Sequence, residues 1–214
     1  MTRAISSVVF DLGGVLIDWN PEYLYRTLIP DDTERAYFLT QVCTRTWHER
    51  HDAGVSFADN AQELLEKYHG DTRMQTFIYA WGARFGEMLN GTIDGTVDIL
   101  SDLHRRGIPI YALTNWPSEA FGPAKKRFPF LSWFKDTIVS GEEHIKKPDP
   151  ALYETLLKRT GIDAGSSLYI DDREENLVPA RALGFQTILF TTPDALVTEL
   201  GQYNFPSLQK RYAS

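Results

Sequence analysis

The amino-acid sequence predicts an α/β fold, a doubly wound parallel sheet carrying one helical insertion. Three observations lead there. Short apolar, β-branched runs recur at 7–10, 108–113, 137–139, 167–170 and 187–190. From residue 94 onward they alternate with stretches whose apolar residues lie three and four apart: Val97, Leu100 and Leu103; Leu152, Tyr153, Leu156 and Leu157; Leu177, Ala180 and Leu183. That alternation is the signature of βαβ units. Polar residues stand directly behind the runs: Asp11, Thr114-Asn115 and Asp171-Asp172. An open parallel sheet binds its ligands at that end of its strands.

The first run stops at Asp11 and passes into a Gly13-Gly14 turn. Residues 19–90 then break the alternation, and no strand is expected among them. Segments 23–28, 35–43, 57–68 and 74–89 read as helices. Pro21 suits a first helical turn, and Ser56 or Asp59 suits the cap of the third. The expected division is a core of residues 1–18 and 91–214, with 19–90 as a helical cap domain. The tail from Gly201 stays unassigned.

The chain has 214 residues, 22 basic and 29 acidic, for a net charge of −7. A chain of this size buries enough surface to fold without staples. Its one cysteine, Cys43, excludes an internal disulfide, and no Cys/His set has zinc spacing. The acidic balance weighs against a nucleic-acid or anionic-membrane surface. It leaves an anionic substrate open, because a bound cation inverts the local field. No apolar run is long enough to span a bilayer. The start of the chain superficially suggests a signal peptide, but Asp11 and the two glycines interrupt its apolar stretch, so a cytoplasmic location is expected.

The residues behind the strands are chemically complementary. Two or three carboxylates can hold a hard divalent cation such as Mg²⁺. A lysine and a hydroxyl beside them suit a phosphoryl group, and an aspartate facing that group can act as nucleophile. At these residues the chain resembles the haloacid dehalogenase (HAD) superfamily. The resemblance rests on Val8-Val9-Phe10-Asp11-Leu12-Gly13-Gly14-Val15-Leu16, on Leu113-Thr114-Asn115, on Lys147-Pro148-Asp149-Pro150, and on Tyr169-Ile170-Asp171-Asp172 followed by Asn176, Ala180 and Leu183-Gly184. All four motifs occur in the family's order.

The resemblance implies a HAD-like, Rossmann-like core with strand order 5-4-1-2-3 and a C1 cap. Within the superfamily the chain is similar to glucose-1-phosphate phosphatases and to the N-terminal phosphatase domain of soluble epoxide hydrolases. The implied activity is Mg²⁺-dependent hydrolysis of a small phosphate ester, a sugar phosphate such as a sugar 1-phosphate. Asp11 would form an aspartyl-phosphate, Thr114 and the backbone N–H of Asn115 would hold phosphate oxygens, and Lys147 would neutralise charge. Asp11, the Gly13 carbonyl and Asp172 would bind Mg²⁺, with Asp171 as a further ligand or a supporting group. Two other readings use the same residues: a 2-haloacid dehalogenase, and a low-turnover phosphate-binding protein. Asp171-Asp172 favours metal and hence phosphate, since halide needs neither metal nor acid to leave.

One departure is informative. The family's phosphatases carry a second aspartate two residues after the nucleophile, which protonates the leaving alcohol; here that position is Gly13. Either the leaving group needs little help, as at an anomeric oxygen, or another group or a water supplies the proton. In the cap, the segment 47–54 falls where the family's specificity loop lies between two helices. His48, His51 and Asp52 are its candidates for hydrogen bonds to sugar hydroxyls, and Trp47 for stacking; the same segment also reads as a solvated helix end held by i,i+4 charge pairs. Trp19 and Trp116 are expected near the mouth of the site. Asp18 is expected to hold the loop that enters the cap.

Overall fold

The computed structural model describes residues 4–203. In chain order its strands are β1 (Ser7–Phe10), β2 (Ile17–Trp19), β3 (Leu89–Thr92), β4 (Ile110–Thr114), β5 (Thr137–Val139), β6 (Ser167–Asp171) and β7 (Gln186–Leu189). Five of them form one parallel sheet in the order β5-β4-β1-β6-β7. Counting only these five along the chain and reading from the β7 edge, the order is the expected 5-4-1-2-3. β1 is central: Val8 lies in register with Ile110 on one side and Leu168 on the other.

Both faces of the sheet are covered, which is why its strands read as continuous apolar runs. Val8, Phe10, Ile110, Ala112, Leu168 and Ile170 pack to one side, and Val9, Tyr111, Leu113, Ile138 and Tyr169 to the other. This is the alternation of a pleated strand.

The insertion contains α1 (Glu22–Leu28), α2 (Asp32–Tyr37), α3 (Arg45–Asp52), α4 (Phe57–Lys67) and α5 (Thr72–Ala83). Three details differ from expectation. The segment 35–43 is not one helix, because α2 passes into a π-turn at Phe38–Val42. The segment 47–54 is largely helix rather than loop: Thr44 caps α3 by accepting from the Trp47 N–H. The segment 74–89 ends as helix at Ala83, passes through a 3₁₀ turn at Phe85–Met88, and finishes in β3. Ser56, not Asp59, caps α4.

β3 pairs antiparallel with β2, a two-stranded ribbon at the root of the insertion that the sequence does not announce. Both strands are only three or four residues long, they carry Asp18, Asn90 and Gly91, and they meet across the whole insertion. Asp18 fastens the ribbon: its Oδ2 accepts from Tyr23 Oη at 2.7 Å and Asn90 Nδ2 at 3.0 Å.

The rest of the chain supplies α6 (Asp94–Arg105), α7 (Ser118–Arg127), α8 (Ser140–Glu143), α9 (Pro150–Thr160), α10 (Glu174–Ala182) and α11 (Pro193–Leu200). Among the described residues, no helix is long and apolar enough to cross a membrane. The insertion is not a separate globule in its packing. Tyr25, Phe38, Trp47, Phe77 and Trp81 belong to the same apolar cluster as Val8 and Phe10.

Glycine matters most at Gly141, the second residue of α8. Its N–H donates to the Trp116 carbonyl at 3.1 Å. A Cβ there would lie 2.5 Å from Ser118 N and 2.7 Å from Trp116 O, both backbone atoms of the turn behind β4. Gly141→Ala should therefore destabilise the protein by about 1–3 kcal/mol through overpacking, read as a fall in urea midpoint. At exposed Gly122 in α7 an added Cβ would meet nothing within 4 Å, and Gly122→Ala should raise stability by up to about 1 kcal/mol.

Candidate active site

The carboxyl ends of β1, β4 and β6 bring residues from distant parts of the chain to one point. Asp11 follows β1, Thr114 ends β4, Asp171 ends β6 with Asp172 next, and Lys147 reaches in from the loop between α8 and α9. Lys147 is fully buried and its Nζ is saturated. It donates to Asp171 Oδ2 at 2.7 Å, lies 2.9 Å from Asp11 Oδ2, and donates to the Leu113 carbonyl at 3.0 Å. Burial opposes its charge, but Asp11 and Asp171 more than offset that and hold the ammonium above its ordinary pKa.

Asp171 is completely buried and fully engaged. Oδ2 accepts from Lys147 Nζ, Tyr169 Oη at 2.5 Å and Asn176 Nδ2 at 3.1 Å, while Oδ1 accepts from Arg173 N and Asn176 Nδ2, both at 2.9 Å. A carboxylate has about four lone-pair sites. Asp171 thus holds Lys147 and the turn after β6, and the free oxygen positions belong to its neighbours. Asp11 accepts only the Leu12 N–H at 2.7 Å on Oδ1, and faces Lys147 with Oδ2. Asp172 is exposed and turns toward Gly14, where a Cβ would fall 2.5 Å from its Oδ2. The left-handed φ of +75° at Gly14 reinforces the demand for glycine.

Asp11, Asp171 and Asp172 each offer a carboxylate oxygen within 4.8 Å of the others. With all three ionised they outnumber Lys147. Burial, with Asp171 and Asp172 adding to it and Lys147 opposing, pushes the Asp11 carboxyl up to about 8. Burial and Asp171 also raise Asp172. This all-oxygen, electron-rich donor set fits a hard divalent cation, whose charge would reverse those shifts. Thr114 Oγ1, at the end of the neighbouring strand β4, is buried with no hydrogen-bond partner, a hydroxyl left free for a ligand oxygen.

Asn115 lines the cleft, but its side chain is occupied: Oδ1 accepts from Lys147 N at 2.8 Å and Nδ2 donates to Lys147 O at 3.1 Å. It clamps the lysine's backbone, which leaves its own N–H as the group available to a ligand. Gly13 also lines the cleft.

The cleft encloses about 450 Å³, and its far wall belongs to the insertion: Trp19, His48, Glu49, Asp52, Trp81 and Phe85. His48 stacks on Trp19 with ring centroids 5.0 Å apart. Burial drives His48 down to about 3 and Asp52 up to about 7, with His51 and Glu49 respectively adding to the effect. His51 is placed elsewhere. It lies inside the insertion against Trp47 and Phe57, within 3.0 Å of Asn60 Nδ2, and does not line the cleft. On α3 it is one residue before Asp52, about 100° around the helix, so the two point to different surroundings. Trp47 is likewise buried, its indole N–H donating to the Asn60 carbonyl.

Trp81 and Phe85 have no sequence signal as cleft residues. Trp81 follows Phe77 at helical spacing and reads as ordinary core. Lys146, which reads as a solvated neighbour of Lys147, instead reaches across the cleft to Glu49 Oε2 at 3.1 Å. Arg45 to Glu175 at 3.0 Å makes a second bridge between insertion and core.

A sequence profile of the haloacid dehalogenase-like hydrolases matches residues 5–184. The chain is 25% identical to the sesquiterpene phosphatase astK of Aspergillus oryzae, across 94% of this chain and 98% of that one. It is 30% identical to a phosphoglycolate phosphatase of Pseudomonas fluorescens, across 58% of this chain and 45% of that one. Among solved structures, a HAD family enzyme from Bacteroides thetaiotaomicron, in complex with magnesium and inorganic phosphate, superposes with a TM-score of 0.67. That likeness covers 88% of this chain and 95% of that one at 23% identity, and concerns the fold.

The two adjacent aspartates should separate by experiment. Asp171→Ala leaves Lys147 with one carboxylate fewer and should cost about 3–5 kcal/mol, seen in chemical denaturation without metal. Asp172→Ala should leave that stability within about 0.5 kcal/mol yet abolish the rise in thermal midpoint that added Mg²⁺ gives the parent protein.

Proposed function

The chain belongs to the haloacid dehalogenase-like hydrolase family, and from that premise we propose that it hydrolyses phosphate monoesters through an aspartyl-phosphate on Asp11. The observation that carries the reading is the cluster itself. A buried carboxylate with a free oxygen position stands 2.9 Å from a saturated lysine, and the adjacent strand β4 ends in Thr114, whose buried hydroxyl has no partner. Asp11 attacks phosphorus as the bond to the leaving oxygen breaks. Thr114 Oγ1 and the Asn115 N–H hold the phosphoryl oxygens, and Lys147 neutralises charge on Asp11 and the phosphoryl group. Water then attacks the aspartyl-phosphate and releases phosphate and the Asp11 carboxylate. Asp11, the Gly13 carbonyl and Asp172 would hold Mg²⁺, which when bound neutralises phosphoryl charge. The magnesium and phosphate of the Bacteroides enzyme support the choice of cation.

The organic group of the ester is read from the cleft walls. Trp19, Trp81 and Trp116 line it, and the indole N–H of each has no partner within the protein. Flat aromatic faces and spare donors suit a sugar phosphate. A second reading has its own observation. An apolar cavity of about 570 Å³, walled by Phe57, Ile78, Ala120 and Ala124, adjoins the cleft and shares Trp81 and Phe85 with it. It suits an ester with a bulky apolar group, in line with the terpenoid substrate in the Aspergillus relative's name.

Turnover of an aryl phosphate should require divalent metal, and excess EDTA should stop it; activity that survives EDTA would remove the metal from the reading. Asp11→Asn should lower kcat by about 10⁴ or more, as expected for loss of a nucleophile. Halide release from 2-chloropropionate without metal would instead identify a dehalogenase. Phosphate binding without turnover of any ester would identify a binding protein. Comparing kcat/KM for a sugar 1-phosphate and an isoprenyl monophosphate decides the organic group.

A further inference from the structure

Gly13 leaves the site without the acid that would normally stand two residues after the nucleophile, and the opposite wall offers a replacement. Asp52 ends α3, is only 5% exposed, and lines the same cleft as Asp11 and Lys147. Its Oδ1 has no hydrogen-bond partner, and His48 Nε2 stands 3.7 Å from Oδ2, beyond hydrogen-bond reach. Buried carboxyls are ordinarily bonded, so an unbonded one facing a ligand cleft needs a reason. The other ionisable groups of that wall are unsuited to protonate a leaving oxygen. Burial holds His48 neutral, without a proton to spare. Glu49 is held below the usual carboxylate range: burial opposes this, but Lys146 and Arg45 outweigh it. Around Asp52 itself stand His48, Glu49, Lys146 and Lys147; burial and then Glu49 outweigh the two lysines and lift its carboxyl to about 7.

We propose that Asp52 is the general acid and base of the reaction, delivered from the insertion to the place that Gly13 leaves empty. The proposal rests on the phosphomonoesterase reading above. As the Asp11–phosphorus bond forms and the bond from phosphorus to the leaving oxygen breaks, the Asp52 carboxyl gives its proton to that oxygen, and the alcohol departs. The Asp52 carboxylate then takes a proton from water while the water oxygen attacks phosphorus. Phosphate leaves, and both aspartates return to their starting forms. This is distinct from anchoring a sugar hydroxyl, which an amide at residue 52 would also do.

The test measures kcat/KM for a series of alkyl and aryl phosphates of falling leaving-group pKa, with Mg²⁺, for the parent protein and for Asp52→Asn. The parent series should be shallow. Asp52→Asn should lose about 10²–10⁴ on alkyl esters and less than about tenfold on 4-nitrophenyl phosphate, which needs no proton. Gly13→Asp, at a position where a Cβ meets nothing within 4 Å, should restore alkyl-ester turnover in the Asp52→Asn background. A steep parent series overturns the proposal whatever the variant does. So do equal losses on both ester types, or a loss confined to KM. A parent protein that turns over no ester overturns the phosphomonoesterase reading instead, so the two failures are told apart.

Discussion

A buried ammonium is stable only if carboxylates and carbonyls replace its water, and that requirement at Lys147 organises the site. Its Nζ is met by Asp11 after β1, the Leu113 carbonyl of β4 and Asp171 at the end of β6. One cation therefore ties together the ends of three adjacent strands. Asp171 can serve it only because Tyr169, Asn176 and the Arg173 N–H satisfy its remaining lone pairs. Asn115 fixes the same lysine through its backbone. Removing Asp171 leaves the ammonium undercompensated in low dielectric, so positioning and stability are the same interaction there.

The same arrangement is electrostatically incomplete. Three carboxylates crowd one ammonium, and burial makes their repulsion costly enough to lift Asp11 and Asp172. A divalent cation held there would relieve that strain and let an anionic group approach. The overall charge of −7 is therefore no obstacle to an anionic substrate, because the local field at the strand ends is set by the groups gathered there and by any cation they hold.

The insertion completes the cleft rather than decorating it. Its aromatic residues share the core of the sheet, the β2–β3 ribbon fixes its root, and Glu49–Lys146 and Arg45–Glu175 close it over the strand ends. A wall built this way limits solvent access to the strand ends and presents His48, Glu49 and Asp52 of α3 to the cleft that Asp11 and Lys147 line. The strand-end wall is dominated by Asp11, Lys147 and Asp172, whereas the insertion wall mixes Trp19, Trp81 and Phe85 with the carboxyls of Glu49 and Asp52.

The sheet, its strand order and the Asp11, Thr114, Lys147 and Asp172 cluster were legible in the sequence. Parallel strands buried on both faces must be short apolar runs, and the residues that terminate them must collect at one edge. The helical nature of the insertion was legible for the same local reason, a spacing of three and four. The β2–β3 ribbon was not, because strands of three and four residues, meeting across the whole insertion, have no local pattern strong enough to mark them. Nor were the fates of neighbours within one polar stretch. His51 turns into the insertion and Asp52 into the cleft, Lys146 bridges to Glu49 while Lys147 is buried, and Asp171 is spent on the lysine while Asp172 stays open. Sequence determined which residue types gather at the strand ends, since that follows from the period of local structure. Only the tertiary packing decided which atom of each faces the ligand, because a rotation of about 100° per helical residue, or a change of face at each strand residue, sends adjacent side chains to different surroundings.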